Sequence, residues 1–124
     1  MKKILIVEDE KETLDFLKDN LEREGFFIET AQDGRTALKK VGEFKPNLVI
    51  LDIMLPELDG REVLAQIKEN FPSIIVVLAT AKKELEDIKE GYAKKADCYI
   101  TKPYKLEEIR KVIEIFFSFE KGGN

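Results

Sequence analysis

Polar side chains that could take part in chemistry stand at the ends of apolar runs in this sequence. Glu8 and Asp9 follow the run KILIV, and Asp52 closes the run NLVILD. Thr80 follows SIIVVLA, and Lys102 comes two residues after DCYI. Together they supply carboxylates, a hydroxyl and an ammonium, the groups that suit phosphoryl transfer to a carboxylate nucleophile. Each alone also fits a helix cap, a turn residue or a surface charge, so their meaning depends on whether the fold brings them together.

The apolar runs alternate with helical patterns, and this alternation predicts the fold. We expect strands at residues 3–7, 26–30, 47–52, 73–79 and 97–100. Apolar residues at helical spacing are Leu14, Leu17 and Leu21; Ala37, Leu38 and Val41; Val63, Leu64 and Ile67; Leu85, Ile88 and Tyr92; and Ile109, Val112, Ile113, Phe116 and Phe117. Strands that alternate with helices indicate a parallel sheet covered on both faces. The sequence therefore predicts the α/β class, as a doubly wound, flavodoxin-like sheet of five parallel strands in the order 2-1-3-4-5 with five helices.

In such a sheet, ligands bind beyond the carboxyl ends of the strands, where the strand order reverses. For this order the reversal lies between the first and third strands, so Glu8, Asp9 and Asp52 should meet at one crevice. Carboxylates brought this close repel one another unless a cation lies between them. Oxygen ligands with room for water or phosphate are the preference of Mg²⁺. We therefore expect Mg²⁺ as the cofactor, with Asp52 at the open end of its strand.

Composition excludes several classes of protein. A chain of 124 residues with a net charge of −4 is long enough for one domain and has no clustered basic excess that would indicate nucleic-acid binding. The absence of His rules out a Ser-His-Asp hydrolase and a His-ligated zinc enzyme, and the single Cys98 fits a reducing compartment. No signal peptide or membrane span is apparent, so we expect a cytoplasmic protein. We expect the domain to occupy residues 1–119, followed by a flexible tail at 120–124.

The motifs ILIVEDE, LVILDIMLPELDG, LAT and YITKP follow one another along nearly the whole chain. As a set they resemble the receiver domain of two-component response regulators. The resemblance implies that Asp52 accepts a phosphoryl group from a phosphohistidine on a sensor histidine kinase or a histidine phosphotransfer protein. It further implies a signalling domain that catalyses only its own phosphoryl transfer and dephosphorylation, and is otherwise not an enzyme.

The same resemblance assigns roles around Asp52. Asp9, Asp52 and the backbone carbonyl of Met54 would bind Mg²⁺, and Glu8 would help directly or through water. Lys102 would contact the phosphoryl group, and its bond to the following proline would be cis.

The resemblance also implies a switch. Thr80 would move to bond the phosphoryl oxygen, and Tyr99 would swing inward into the vacated space. This movement would remodel the face formed by the predicted fourth helix, fifth strand and fifth helix. Independently of the family, Tyr99 lies three residues before Lys102, so the two side chains should point to opposite sides of the sheet.

Two positions depart from receivers of the winged-helix transcription factors. Cys98 stands where those receivers commonly carry a second acid, and Val112 where they carry an Arg that helps form their dimer face. These departures favour a stand-alone receiver that docks onto an unknown output partner without binding nucleic acid. A receiver cut from a longer DNA-binding regulator is the alternative, and a dimer that forms on phosphorylation is left open.

Other proteins share parts of this pattern. A haloacid dehalogenase-type phosphatase needs a second Asp two residues after its nucleophile, where this chain has Met54. A flavodoxin-like electron carrier needs a Gly- and hydroxyl-rich phosphate cradle, whereas the first turn here is the acidic EDEKET. A degenerate receiver that serves as a phosphorylation-independent interaction module would be expected to have lost some of the motif residues.

Overall fold

The computed structural model describes residues 2–81 and 95–122. Its elements are β1 (Lys3–Val7), α1 (Lys11–Arg23), β2 (Phe27–Ala31), α2 (Gly34–Phe44), β3 (Leu48–Asp52), α3 (Gly60–Asn70), β4 (Ile75–Ala81), β5 (Cys98–Lys102) and α4 (Leu106–Gly122). The helix α4 corresponds to the predicted fifth helix. The predicted fourth helix, with Leu85, Ile88 and Tyr92, lies outside the described residues.

The strands form one parallel sheet in the order β2-β1-β3-β4-β5, which confirms the predicted fold class and topology. All of β3 is buried, and most of β1 and β4, because helices cover both faces of the sheet. The last two strands extend further than predicted. Thr80 pairs with Thr101, and Ala81 pairs with Lys102. Because the ladder continues through these residues, Thr80 and Lys102 lie within their strands instead of just after them.

Two clusters of buried apolar residues lie on the two faces of the sheet. Alternate residues of each strand point to opposite faces, so Leu5 and Val7 join the cluster under α2 and α3, whereas Ile4 and Ile6 join the cluster under α1 and α4. The apolar stripes predicted for the described helices are buried or partly buried against these clusters. The sheet is therefore held between packed helices, and its strand ends present the loops.

Local sequence signals account for several helix ends. Gly25 has a positive φ of 98°, which lets the chain reverse after α1. The Asp33 carboxylate caps α2 by accepting from the Thr36 N–H at 2.8 Å, and the Asp59 carboxylate caps α3 by accepting from the Arg61 N–H at 2.7 Å. At the other end of the chain, the backbone of α4 continues through Gly122. The boundary at residue 119 between domain and tail stays a prediction.

None of the helices in the described ranges is both long and apolar enough to cross a membrane.

The starts of β4 and β5 are tied together by Asp97. Its backbone N–H donates to the Val76 carbonyl at 2.9 Å, and its carboxylate accepts from the Val76 N–H at 2.8 Å. Lys68 from α3 forms an ion pair with the same carboxylate at 2.5 Å and donates to the Ile74 carbonyl at 2.6 Å. Asp97 therefore satisfies a buried backbone donor and anchors α3 to the sheet.

We expect Asp97→Ala to lower the free energy of unfolding by about 1–3 kcal/mol, because the buried Val76 N–H loses its acceptor. Asp97→Asn should lose less, since an amide oxygen can still accept that bond. Urea unfolding measures both. Asp15→Ala is a matched control, because its ion pair with Lys11 is exposed and is worth about 0.5 kcal/mol or less. If Asp97→Ala lowered the free energy of unfolding no more than Asp15→Ala does, the hydrogen bond between Asp97 and Val76 would be absent in solution.

Candidate functional site

Carboxylates from β1 and β3 meet at the carboxyl edge of the sheet. The strands are parallel neighbours with Val7 opposite Leu51, so Glu8 and Asp52 come side by side at their ends. Carboxylate oxygens of Glu8, Asp9 and Asp52 lie within 4.8 Å of one another. Glu8 and Asp52 are each only 3% exposed, whereas Asp9 is exposed. The predicted acidic crevice is therefore present, with one side open to solvent.

Lys102 lies between the two buried carboxylates. Its Nζ donates to Asp52 Oδ2 at 2.7 Å and to the two Glu8 carboxylate oxygens at 3.2 Å each. The lysine belongs to β5, two strands away from β3, so its long side chain crosses the end of β4. A buried carboxylate without a partner costs several kcal/mol. Here one ammonium partly compensates two such carboxylates.

The pKa values reflect this crowding. Burial and the neighbouring Asp52 carboxylate raise the pKa of Glu8 to about 8, although Lys102 lowers it. Burial by itself lowers the pKa of Lys102, but Asp52 and Glu8 outweigh burial and raise that pKa above its usual value. Lys102 therefore stays charged, whereas the raised pKa of Glu8 makes its carboxylate easier to protonate.

Met54 belongs to a short closed loop that follows Asp52. The Met54 N–H donates to Asp52 Oδ1 at 3.0 Å, and the Met54 side chain is 62% exposed. The loop closes where the Gly60 N–H donates to the Ile53 carbonyl at 3.0 Å. A Cβ on Gly60 would lie 2.6 Å from the Asp52 carbonyl oxygen, so this close approach requires glycine. Both Asp52 carboxylate oxygens are thus engaged, one by Lys102 and one by Met54.

The two predicted switch residues lie on adjacent strands. Thr80 is 1% exposed and follows Ala79, the residue opposite Asp52 in the ladder. Its hydroxyl donates to the Ala81 carbonyl at a long 3.5 Å. Tyr99 is partly buried against the cluster under α2 and α3, and burial raises its pKa. The bond between Lys102 and its proline is cis, as the resemblance implied.

Sequence reasoning missed two neighbours of the site. Gln32 follows β2 directly, and its side-chain amide donates to the Asp9 carbonyl at 3.3 Å. Tyr104 lines a cavity of about 380 Å³ beside Lys102, and burial and then Glu8 raise its pKa to about 12. The strand-end rule that found Asp9 would have found Gln32 had it been applied to β2 as well. Tyr104 lies past the end of β5, so that rule does not reach it.

Comparison with known proteins gives the family. The sequence pattern of the response regulator receiver domain matches residues 4–114. The chain belongs to this family. The receiver is 44% identical over 108 residues to the alkaline phosphatase synthesis transcriptional regulatory protein PhoP of Bacillus subtilis. That match covers 87% of this chain but 45% of PhoP, so the chain spans under half the length of that relative.

Solved receiver structures resemble this one along most of its length. A CheY-like receiver domain protein from Methanospirillum hungatei superposes with a TM-score of 0.90 at 29% identity, covering 100% of this chain and 99% of that chain. The response regulator TrrA from Thermotoga maritima, solved in complex with Mg²⁺ and BeF, has a TM-score of 0.83 at 34% identity, covering 92% of this chain and 97% of TrrA. The crevice thus lies in the receiver domain of a two-component response regulator, a phosphoacceptor signalling domain and not a classical enzyme.

We expect Lys102→Met to destabilise the metal-free receiver by about 3 kcal/mol, because it leaves two buried carboxylates without their shared cation. Urea unfolding at low ionic strength measures the loss. Lys111→Met is the matched control, since Lys111 is exposed on α4 and its replacement should change stability by less than about 0.5 kcal/mol. Similar small losses for both variants would contradict a bridging ammonium.

Proposed function

We propose that this receiver accepts a phosphoryl group on Asp52 from the phosphohistidine of a sensor histidine kinase or a histidine phosphotransfer protein. The observation that carries the proposal is the Asp52 carboxylate itself. It is buried to 3% exposure at a strand end, with the Lys102 ammonium 2.7 Å from Oδ2. A cavity of about 380 Å³ lies beside Glu8 and Lys102, the two residues that share the ammonium contact with Asp52.

The transfer needs little beyond positioning and charge compensation. An Asp52 carboxylate oxygen attacks the phosphorus, the new O–P bond forms, and the P–N bond to the donor imidazole breaks. Electrons of that bond return to the imidazole nitrogen, so the donor histidine leaves unphosphorylated. Lys102, already hydrogen-bonded to Asp52, can transfer one of its donor bonds to a phosphoryl oxygen while Glu8 continues to hold it.

The donor set fits Mg²⁺. Carboxylate oxygens of Glu8, Asp9 and Asp52 lie together, and Mg²⁺ prefers such oxygen ligands. We propose that these residues, with the backbone carbonyl of Met54, hold the ion. When bound, the ion would neutralise the carboxylates and the phosphoryl oxygens. TrrA was solved in complex with Mg²⁺ and BeF, and this supports Mg²⁺ as the cation.

Thr80 and Tyr99 are proposed to report the phosphorylation. Asp52 pairs with Ala79 in the ladder, and Thr80 is the next residue along β4. A phosphoryl oxygen is a far better acceptor than the Ala81 carbonyl, to which the hydroxyl now donates at 3.5 Å. Movement of Thr80 would open space for Tyr99 on the neighbouring β5. The proposed output surface comprises β5, α4 and the predicted fourth helix, which lies outside the described residues.

The output partner is proposed to be another protein, in the cytoplasm, with the receiver acting as a stand-alone unit. The half-buried Cys98 and Val112 support this, because neither presents the charge found at these positions in winged-helix regulators. The second candidate is a receiver module of a longer DNA-binding response regulator. A dimer that forms on phosphorylation is compatible with both candidates. The 44% identity to PhoP favours this candidate.

Acetyl phosphate and Mg²⁺ should give one phosphoryl adduct on the wild-type protein, and none on Asp52→Ala, because the nucleophilic carboxylate is gone. Intact mass spectrometry measures the adduct. Asp19→Ala, which removes an exposed carboxylate from α1, is the control and should label like wild type. Omission of Mg²⁺ should strongly reduce labelling of the wild-type protein.

Absence of any adduct on folded wild-type protein would overturn the proposal and favour a phosphorylation-independent interaction module. An adduct that persists in Asp52→Ala would place the acceptor elsewhere.

The phosphorylated receiver should lose its phosphoryl group over minutes or longer, because Met54, two residues after Asp52, cannot orient a water for hydrolysis. Decay of the adduct after removal of acetyl phosphate measures the half-life. Met54→Asn retains the backbone carbonyl but adds a polar amide, so it should shorten the half-life. A wild-type half-life of seconds would contradict this expectation.

A further inference from the structure

The junction between β2 and α2, residues 31–34, contributes no carboxylate to the crevice but contacts both loops that do. On one side, the Gln32 amide donates to the Asp9 carbonyl at 3.3 Å, and the Ala31 carbonyl accepts from the Glu8 N–H at 3.0 Å. On the other side, Gly34 lies against Leu58, in the loop that follows Asp52. This junction therefore lies where it can set the spacing of the two loops.

Gly34 has no room for a side chain. A Cβ at this position would lie 2.5 Å from the Leu58 carbonyl oxygen and 2.7 Å from the Leu58 Cβ. These distances are well inside the separation of about 3.5 Å at which non-bonded atoms pack. The helix cannot easily withdraw, because Ala37 and Val41 fix α2 in the core. An added methyl group would therefore displace the loop at Leu58.

The loop cannot absorb that displacement at its far end. Gly60 donates to the Ile53 carbonyl at 3.0 Å, and a Cβ on Gly60 would lie 2.6 Å from the Asp52 carbonyl oxygen and from the Ile53 Cα, so the backbones approach closely here. The segment between these fixed points, residues 54–57, must take up the movement. Met54 begins this segment, and its N–H donates to Asp52 Oδ1.

We propose that the junction is a positioning element for the cation site. Gln32 holds the loop of Asp9, and the missing side chain of Gly34 lets the loop of Met54 sit against Asp52. The inference rests on the proposed function, because the site it positions is the proposed Mg²⁺ site. Neither residue is among the proposed ligands of the cation.

Gly34→Ala tests the loop of Met54, and Gly42→Ala is the matched control. Gly42 lies in the same helix, and outside its own helix backbone no atom of the described residues lies within 4 Å of a Cβ placed there. In metal-free protein, Gly34→Ala should shift the Met54 amide resonance in ¹H–¹⁵N spectra, and Gly42→Ala should not. Titration with Mg²⁺ alone should show about tenfold or greater weakening for Gly34→Ala, the usual effect of losing support behind a ligand.

Gln32→Ala tests the other loop and should fold like wild type, because the Gln32 side chain is exposed. It should shift the Glu10 amide, which follows the Asp9 carbonyl, and leave the Met54 amide in place. Its Mg²⁺ affinity should fall about threefold, the value of one exposed hydrogen bond. If Gly34 and Gln32 only stabilised the fold, their variants would lower the free energy of unfolding, but the Met54 amide would not shift in the first variant and the Glu10 amide would not shift in the second.

The outcomes separate this inference from the proposed function. If wild-type protein binds no Mg²⁺, the proposed function fails, and the metal-free amide shifts still decide whether the junction positions the loops. If wild type binds Mg²⁺ and a folded Gly34→Ala binds equally well with an unmoved Met54 amide, the inference is overturned. If Gly34→Ala does not fold, Gln32→Ala decides whether the inference holds. A Gln32→Ala variant whose Glu10 amide resonance and Mg²⁺ affinity both match those of the wild type would overturn the inference.

Discussion

The receiver depends on an incomplete charge balance around Lys102. One ammonium donates to two carboxylates that are each 3% exposed, and Asp9 adds a further negative charge at the rim. A single Lys is enough to keep Glu8 and Asp52 buried without a prohibitive penalty, but not enough to neutralise the cluster. Burial first, and then the neighbouring Asp52 carboxylate, raise the pKa of Glu8. A divalent cation would reduce the excess of negative charge, which is why the proposed function assigns Mg²⁺ to this crevice.

The sheet order makes this arrangement possible. Because β1 and β3 are neighbours, their terminal carboxylates meet, and because β4 separates β3 from β5, only a long side chain from β5 can reach them. Lys102 meets that requirement. The buried strands fix the positions of these ends through the two apolar clusters, so the core controls the geometry of groups that lie at its edge.

Much of this could be predicted from the sequence, because it depends on local patterns. The apolar run that ends at Asp52 and the helical stripe of Leu14, Leu17 and Leu21 each indicate an element without knowledge of the rest, and the strand-end rule then brings Glu8 and Lys102 to one edge. The contacts of Gln32 and Gly34 are different. They join segments far apart in the chain at distances set by backbone packing, and no periodicity in the sequence encodes a missing Cβ against Leu58.

A change at Asp52 could reach the surface of the protein through Thr80 and the neighbouring strand β5. Thr80 is held by a long hydroxyl bond in a buried strand, and the Leu78–Tyr99 pair of the ladder links that strand to β5. A group fixed by strong bonds on all sides could not respond to a new acceptor, whereas a weakly held hydroxyl beside Ala79 can exchange one partner for another at little cost. In the proposed function, the firmly held Asp52 would define where charge is added, and the weakly held Thr80 hydroxyl would let the next strand respond to it.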